Sequence, residues 1–329
     1  MNSEEIKKIV GQFDKVSILV IGDIMLDRYL FGTMSRISPE APAPLIDITS
    51  ESFRLGGAAN AINAICTLGG KVRAVGVVGD DWFGKRLIKL LKQEDVDTTG
   101  VIEIKERSTT VKTRVIAEQQ QIIRLDRENR DAINEAYTQS ILDYLRKNIE
   151  YVDGILISDY NKGVVTNKLL NGAIDLAKKF EKPTIVYPKV EHFLDYKGIT
   201  IIVTDLEKAS SVTGIRHINE TSIRNMGQWL LTHLECEFVL ITCEKDGMSL
   251  FEKNGGVKHI PLSVMEVRNV TGTIDTVASL IALSLASGVS NMVDSVHLAS
   301  IAAGIVLQKP GRISVSQDEI KRQIDTIRE

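Results

Sequence analysis

The sequence has 329 residues, of which 43% are hydrophobic and 25% are charged, and its formal net charge is −3. This size suits one large α/β domain, and the slight excess of acidic residues argues against nucleic acid or an anionic membrane as partner. The sequence has no apolar run of about 18 residues, so it predicts no transmembrane span. Three widely spaced cysteines, without a CxxC or HExxH motif, indicate reduced thiols, a cytoplasmic protein and no zinc site.

The first predicted strand follows a charged amphipathic helix over residues 1–13, which does not have the pattern of a signal peptide. Residues 16–21 form a continuous apolar run that ends at Gly22-Asp23, which is typical of a central parallel strand. Ligands of open α/β sheets bind at the carboxyl ends of such strands, so Asp23 and Asp27 are candidate ligand contacts. Alternatively, each is a turn residue that caps its own backbone.

Two stretches outside this pattern predict a small β-sheet lid. Residues 28–50 consist of short extended pieces broken by prolines, and residues 108–126 alternate like a hairpin. The hairpin places Lys112, Arg114 and Arg124 on one face, where they could hold a phosphorylated, hydroxylated ligand. The alternative is a solvated hairpin with a polar outer face. At the ligand edge of the main sheet, these pieces could act as a lid.

The rest of the chain alternates between strands and helices. Gly56, Gly57 and Asn60 open a predicted helix; the small residues permit close approach to a ligand, and tight helix packing explains them equally well. Further strands are predicted at 71–78, 154–158, 184–186, 200–203 and 238–242, the last followed by a hairpin that extends to residue 251. Further helices are predicted at 82–92, 132–147, 166–180, 205–212, 220–234 and 293–307. This alternation predicts parallel βαβ units in a doubly wound α/β sheet.

Residues 270–276 combine the features of a reaction centre. A predicted strand over 264–267 precedes them, and an apolar run over 277–286, typical of a buried helix, follows. The N–H groups at a helix start, together with the helix dipole, can bind an anion such as phosphate. Asp275, in the first turn, could accept a proton from an attacking hydroxyl. The simpler alternative is an Asp or Thr cap on a buried helix.

Six motifs in this order resemble the ribokinase-like (PfkB) family of sugar kinases, and within it the bacterial heptose 7-phosphate kinases of ADP-heptose synthesis. They are GDIMLDRY at 22–29, RISPEAP at 36–42, GGAAN at 56–60, KTRVIA at 112–117, QQ at 120–121 with Arg124 and Asp126, and SDYNKG at 158–163. The resemblance covers essentially the full length and ends where the kinase domain of these proteins ends. We therefore expect no fused nucleotidyltransferase.

The resemblance implies a three-layer α/β/α fold, with a doubly wound sheet and a small β-sheet lid, in one domain over residues 1–329. It implies transfer of the γ-phosphoryl group of ATP, with Mg²⁺ bound, to the anomeric hydroxyl of a sugar phosphate, and a homodimer formed through the lid. Asp275 would be the base, and the turn from Gly272 would hold the transferred phosphoryl group. The residues implied in substrate binding are Asp27, Arg36, Gly56, Gly57, Asn60, Lys112, Arg114, Gln121, Arg124, Asp159 and Lys162. The residues implied in nucleotide binding are Lys189, Asp205, Lys208, Thr242, Thr273, Ile274 and Ser300.

The motifs on the nucleotide side differ from the family pattern. The family turn Gly-Ala-Gly-Asp is Gly272-Thr273-Ile274-Asp275 here, and a β-branched Ile274 would disfavour a positive φ beside the anion site. Lys208 replaces a Glu near the metal and reverses the local charge. Further differences are Tyr187, Glu244, Asn269 and Ser300. Three interpretations remain open: an active kinase, an impaired homologue that binds the sugar phosphate as a sensor or scaffold, and a kinase with another phosphoryl donor.

Overall fold

A nine-stranded sheet forms the centre of the molecule in the computed structural model, which describes residues 3–243, 246–262, 272–309 and 314–326. Numbered in chain order, its strands are β1 (Ser17–Gly22), β4 (Lys71–Gly79), β5 (Asp97–Ile104), β8 (Gly154–Ser158), β9 (Thr184–Tyr187), β10 (Ile201–Asp205), β11 (Phe238–Thr242), β12 (Met248–Glu252) and β13 (Val257–Ile260). Their order is β13-β12-β11-β10-β9-β8-β1-β4-β5. The strands from β11 to β5 are parallel, and β12 and β13 add an antiparallel hairpin at one edge.

Helices cover both faces of this sheet because its strands alternate apolar side chains between two cores. In β1, Ile18 and Val20 face the first core, and Leu19 and Ile21 face the second. The helices of the first core are α1 (Ser3–Val10), α2 (Ala58–Thr67), α3 (Trp82–Gln93), α8 (Thr273–Ala286), α9 (Met292–Gln308) and α10 (Gln317–Thr326). Those of the second core are α4 (Glu135–Asn148), α5 (Asn167–Lys179), α6 (Leu206–Thr213) and α7 (Glu220–Leu234). The predicted three-layer, doubly wound α/β/α arrangement is confirmed.

Across the described ranges, no helix combines the length and the apolar character needed to cross a membrane.

A second sheet of four strands begins directly after β1. Its strands are β2 (Ile24–Ile37), β3 (Pro44–Gly57), β6 (Val111–Ala117) and β7 (Gln120–Arg127), in the order β3-β2-β6-β7. The expectation of short pieces over 28–50 is wrong, because β2 and β3 each run for 14 residues. Pro39 and Pro42 lie in the connection between them and Pro44 is the first residue of β3, so no proline interrupts a strand. We call this unit the small sheet.

Three elements have no counterpart among the predicted ones: β5, β13 and α10. Strand β5 lies at the edge of the large sheet and buries only two of its eight residues, Gly100 and Ile104, so its hydrophobic periodicity is weak. Helix α10 buries only Ile320 and Ile324. The strand predicted over 264–267 lies outside the described residues.

Candidate active site

The carboxyl ends of several strands and the start of α8 enclose a cavity of about 370 Å³, which we call the first cavity. Its lining residues are Met25, Asp27, Gly57, Asn60, Lys112, Arg114, Arg124, Tyr160, Lys162, Tyr187, Lys189, Gly272, Ile274 and Asp275. They belong to the small sheet, the start of α2, the loop after β8, the end of β9 and the start of α8. Open α/β sheets bind ligands at this edge. The candidate residues Asp27 and Asp275 therefore face the same cavity.

A buried ion pair joins β2 to β6 in the first cavity. Arg114 Nη1 lies 2.7 Å from Asp27 Oδ1, and the two side chains are 17% and 5% exposed. Burial raises the pKa of Asp27, and the hydrogen bond and charge of Arg114 oppose that rise. The guanidinium carbon also lies 5.4 Å from the ring centre of Tyr29. These contacts fix the carboxylate of Asp27 at the wall of the cavity, where its oxygens can accept hydrogen bonds.

Gly56 does not line the first cavity, but it allows the Asp27 carboxylate to lie against β3. A Cβ at position 56 would be 2.9 Å from Cγ and 3.0 Å from Oδ2 of Asp27. We therefore expect Gly56→Ala to displace Asp27 and to raise the dissociation constant of a sugar phosphate about tenfold, which is ~1.4 kcal/mol. Isothermal titration calorimetry measures this change.

Gly154→Ala is the matched control, because a Cβ there would have its nearest atom at 3.4 Å, an ordinary contact. We expect this variant to bind the sugar phosphate like the wild type. An unchanged dissociation constant in Gly56→Ala would show that Asp27 does not hold the ligand.

Basic side chains from the β6–β7 hairpin and from the loop after β8 gather on one side of the first cavity. Lys112 Nζ lies 2.9 Å from Asp126 Oδ2, and Arg124 donates to both oxygens of Asp126 at 2.9 and 3.1 Å. Glu128 Oε2 lies 2.7 Å from Lys162 Nζ and 3.8 Å from Lys112 Nζ, so Glu128 links the hairpin to the loop. Such a cluster of preorganised cations suits a phosphate group.

The carboxylate of Asp275 lies at the start of α8, on the wall of the first cavity. Gly272 precedes the helix with a φ of 77°, a left-handed conformation that glycine adopts readily. The Tyr160 hydroxyl donates to both carboxylate oxygens, at 2.9 and 3.1 Å. Burial raises the pKa of Asp275 to about 6; hydrogen bonds from Tyr160 and Asn60 and the charge of Lys208 oppose the rise. A carboxylate of this kind can accept a proton near neutral pH.

The loop after β8, which carries Tyr160 and Lys162, is held by the buried carboxylate of Asp23. This carboxylate accepts the backbone N–H groups of Tyr160, Lys162 and Val164 at 2.9, 3.1 and 3.2 Å. Burial and the charge of Asp159 raise the pKa of Asp23 to about 6, and the three N–H groups oppose the rise. Asp23, a candidate ligand contact in the sequence, therefore positions a loop of the site and is itself 2% exposed.

Besides Gly56, three residues implied in substrate binding do not line the first cavity. Asp159 is 1% exposed, and its carboxylate accepts a hydrogen bond of 2.8 Å from the Tyr196 hydroxyl. Arg36 is exposed near the far end of β2, and an extended strand places it ~30 Å from Asp27. Gln121 is exposed near the start of β7. The unexpected length of the strands in the small sheet explains the position of Arg36.

A second cavity of about 600 Å³ adjoins the first at the start of α8. Its lining residues are Asp205, Leu206, Glu207, Ser210, Ile218, Thr242, Cys243, Asp246, Gly247, Met248, Leu262, Thr273, Ile274, Ala303 and Leu307. Ile274 lines both cavities, so the first turn of α8 separates them. Four residues implied in nucleotide binding, Asp205, Thr242, Thr273 and Ile274, thus lie together. The expectation of strain at Ile274 is wrong: this residue has the helical backbone of α8, and the positive φ belongs to Gly272.

The other three residues implied in nucleotide binding lie elsewhere. Lys189 lines the first cavity and has no carboxylate partner among the residues that the structure describes. Lys208 lines neither cavity; its ammonium contacts the Asp205 carboxylate, donates to the Tyr187 hydroxyl at 2.8 Å and lies 4.3 Å from the Tyr187 ring centre. Ser300 Oγ donates to a backbone carbonyl after β13 at 3.2 Å. Glu244, Asn269 and Thr271 lie outside the described residues.

The predicted set omits Tyr160 and Tyr187, which line the first cavity, and Glu128, which contacts its basic side chains. The rings of Tyr160 and Tyr187 pack edge to face, with centres 6.0 Å apart, and both line the first cavity. Tyr160 belongs to the SDYNKG motif, and this was the available indication in the sequence. The role of Glu128 follows from its contact with Lys162, which only the tertiary structure shows.

The described ranges contain no group of three or more His, Cys, Asp or Glu side chains that could hold a metal ion. The Asp205 carboxylate on the wall of the second cavity is paired with the Lys208 ammonium, and it also accepts the Lys208 N–H at 2.8 Å as the cap of α6. The described residues thus supply single carboxylates and not a preformed cage for a divalent cation.

Comparison with known proteins identifies the family. Residues 15–319 match the model of the pfkB family of carbohydrate kinases. The chain is 41% identical to the bifunctional protein HldE of Geobacter metallireducens and 40% identical to that of Geobacter sulfurreducens, in each case over 320 residues, which are 97% of this chain and 65% of the relative. This chain therefore spans only about two thirds of the length of these relatives.

Solved structures agree with this fold. Phosphofructokinase-2 from Escherichia coli in complex with potassium superposes with a TM-score of 0.78 over 95% of this chain and 99% of its own, at 18% identity. Ribokinase from Arabidopsis thaliana complexed with ribose and ATP gives a TM-score of 0.73 over 94% of this chain and 98% of its own, at 16% identity. At these identities the likeness establishes a ribokinase-like α/β fold. The family match over residues 15–319 shows that this chain belongs to the pfkB family of carbohydrate kinases.

Proposed function

We propose that this chain is an ATP-dependent sugar kinase that phosphorylates the anomeric hydroxyl of a sugar phosphate, with a heptose 7-phosphate as the substrate. The position of Asp275 carries this proposal. It is a buried carboxylate at a helix start that shares the first cavity with Asp27 and a cluster of basic side chains, directly beside the second cavity. The motifs that resemble the heptose 7-phosphate kinases support this acceptor.

In the proposed reaction, the sugar phosphate occupies the first cavity. Asp27 and Asn60 bind hydroxyl groups of the sugar, and the basic side chains of the hairpin bind its phosphate. Asp275 accepts the proton of the attacking hydroxyl as the oxygen bonds to the γ-phosphorus, and the bond from this phosphorus to the oxygen of ADP breaks.

ATP would occupy the second cavity, with its γ-phosphoryl group at the first turn of α8. The N–H groups and the dipole of that turn favour the negative charge of the transferred group. The Thr273 hydroxyl is buried on this wall and has no hydrogen-bond partner within the described residues, so it can donate to a phosphate oxygen. In this proposal Mg²⁺ enters bound to the triphosphate, which is common where a protein offers one or two carboxylates.

The decisive experiment is a pair of calorimetric titrations, one with heptose 7-phosphate and one with Mg-ATP, followed by an assay for the doubly phosphorylated sugar. We expect binding of both and formation of product. Binding of the sugar phosphate without heat from Mg-ATP and without product would support the impaired homologue instead. Turnover of fructose 6-phosphate but not of heptose 7-phosphate would support the proposed kinase activity and contradict the proposed substrate.

We further propose that the small sheet serves as a lid over one catalytic domain and as the contact of a homodimer. Large apolar side chains are exposed on this sheet: Met34, Ile37, Ile48, Ile122, Ile123 and Leu125. Clustered exposed apolar side chains often mark protein contacts.

Three free cysteines also support a cytoplasmic location.

The dimer can be tested by adding charge to the small sheet. Ile37 and Ile48 are 71% and 57% exposed, so Ile37→Asp combined with Ile48→Asp is expected to leave the fold intact and to convert dimers into monomers. Analytical ultracentrifugation measures this change. Tyr151→Asp, at a residue 68% exposed and outside the small sheet, is the control. A wild-type protein that sediments as a monomer would contradict the dimer.

A further inference from the structure

The Tyr160 hydroxyl contacts the carboxylate that serves as the base in the proposed reaction. It donates to both oxygens of Asp275, at 2.9 and 3.1 Å, from the wall of the first cavity. The ring of Tyr160 also packs edge to face against the ring of Tyr187, and this contact restricts it from another side. A single phenol that shares its one proton between both oxygens fixes the position of the carboxylate and still leaves lone pairs on each oxygen for a ligand hydroxyl.

The backbone of the loop that carries Tyr160 is held by contacts that do not involve Asp275. The carboxylate of Asp23 accepts the Tyr160 N–H and two later N–H groups of the same loop. The carboxylate of Asp159 accepts the Asn161 N–H at 2.7 Å, and Arg107 donates to the Lys162 carbonyl. Two buried carboxylates and one arginine therefore hold the loop in place, and the phenol is preorganised.

The hydrogen bond from Tyr160 affects how readily Asp275 ionises. A hydrogen bond to an ionised carboxylate favours the ionised form, whereas burial favours the protonated form. The other groups that face Asp275 are the Asn60 amide from α2, the Lys208 ammonium from α6, the Asp27 carboxylate from β2 and the Tyr187 phenol from β9. Asn60 and Lys208 lower the pKa of Asp275, as Tyr160 does, and the charge of Asp27 raises it. Tyr160 is the donor that contacts both oxygens.

We propose that Tyr160 is a positioning residue that keeps Asp275 ionised and oriented to accept the proton of the attacking hydroxyl. The proposal rests on the proposed kinase function. It also gives a reason for two buried carboxylates, Asp23 and Asp159, that do not line either cavity. These two carboxylates hold the loop that places the Tyr160 hydroxyl against Asp275.

The ionisation of Asp275 can be measured without turnover. The infrared carboxylate band that disappears in Asp275→Asn is followed against pH in the protein without substrates. The pKa of Asp275 is held at about 6 in the wild type. In Tyr160→Phe we expect the midpoint to rise by about one pH unit, because the donor is lost and the ring remains. In kinetic assays, the acidic limb of kcat should move upward by the same amount, with little change in KM.

A second variant has the opposite expected sign. With 3-fluorotyrosine at position 160 the phenol is a stronger donor of the same shape, so the midpoint should fall. The pKa of the Tyr160 phenol is held well above its usual range by burial and by Asp275, so the fluorinated phenol stays protonated near neutral pH. This variant also decides the question where Tyr160→Phe fails to fold.

Tyr196→Phe is the matched control, since it also removes one buried tyrosine hydroxyl, which donates to the carboxylate of Asp159 and not to that of Asp275. We expect it to lower the melting temperature and to leave the Asp275 midpoint unchanged. A midpoint that stays constant in both Tyr160 variants would overturn the proposal, as would an equal shift in Tyr196→Phe. An absence of kinase activity would overturn the proposed function alone, because the infrared titration does not depend on it.

Discussion

Asp275→Asn is expected to reduce kcat by roughly 10²–10⁴, the range that a positioned general base contributes. The amide has nearly the same shape and its oxygen can still accept the Tyr160 hydrogen bond, but it cannot take a proton. Because the substrates contact the same cavity surfaces in the variant, their dissociation constants should stay within about threefold of the wild-type values. A coupled assay for ADP measures kcat, and calorimetry measures binding.

Asp143→Asn, at an exposed carboxylate of α4 that pairs with Arg146, is the control and should keep wild-type kcat. If Asp275→Asn retained kcat within tenfold of wild type, another group would have to accept the proton. A loss of substrate binding without a change in kcat would instead make Asp275 a ligand contact.

The same substitution should stabilise the fold. The pKa of Asp275 is about 6 in the folded protein, against 3.8 for an ordinary aspartic acid side chain, so between these pH values the folded state binds more protons than the unfolded state. Stability from this group is therefore lost as the pH rises from about 4 to 6. Asp275→Asn should be more stable than wild type by about 1–3 kcal/mol above pH 7, and the difference should vanish below pH 4. Urea unfolding at both pH values measures it.

The large sheet is predictable from the sequence because its strands are covered on both faces. β1 and β8 are fully or almost fully buried, and their continuous apolar runs predict buried strands. The small sheet shows the limit of such patterns. The outer half of β2 is exposed, so neither alternation nor a long apolar run marks its 14-residue length. Its pairing with both β3 and β6 extends it, and this pairing is set by tertiary structure.

The site is predictable in kind and less so in detail. Asp27 and Asp275 line one cavity because each follows a segment that ends at the carboxyl edge of the sheet. The motifs group Lys189 with residues that line the second cavity, whereas it lines the first, because a position in a motif does not say on which side of α8 a side chain points. The strain expected at Ile274 is absent because only Gly272 needs the positive φ.

Arg114→Met is expected to produce the largest loss of stability among substitutions in the first cavity. It leaves the carboxylate of Asp27, whose side chain is 5% exposed, without its partner at 2.7 Å. Removing one member of a buried ion pair costs roughly 3–5 kcal/mol, and the cavity should reduce this to about 3 kcal/mol, since water can reach one side of the carboxylate. Sugar phosphate binding should weaken by at least about 100-fold. Urea unfolding and calorimetry measure the two effects.

A double variant separates charge from packing. Asp27→Asn combined with Arg114→Met removes both charges, so stability should return to within about 1 kcal/mol of wild type while binding stays lost. The pKa of Asp27 is already raised by burial, and without Arg114 it rises further. The single variant should therefore regain stability as the pH falls and the carboxylate protonates. If the double variant were as unstable as the single one at every pH, Arg114 would stabilise the fold mainly through its contact with the Tyr29 ring, 5.4 Å away. Arg114→Lys, which keeps the charge and loses the planar group, should then behave like Arg114→Met.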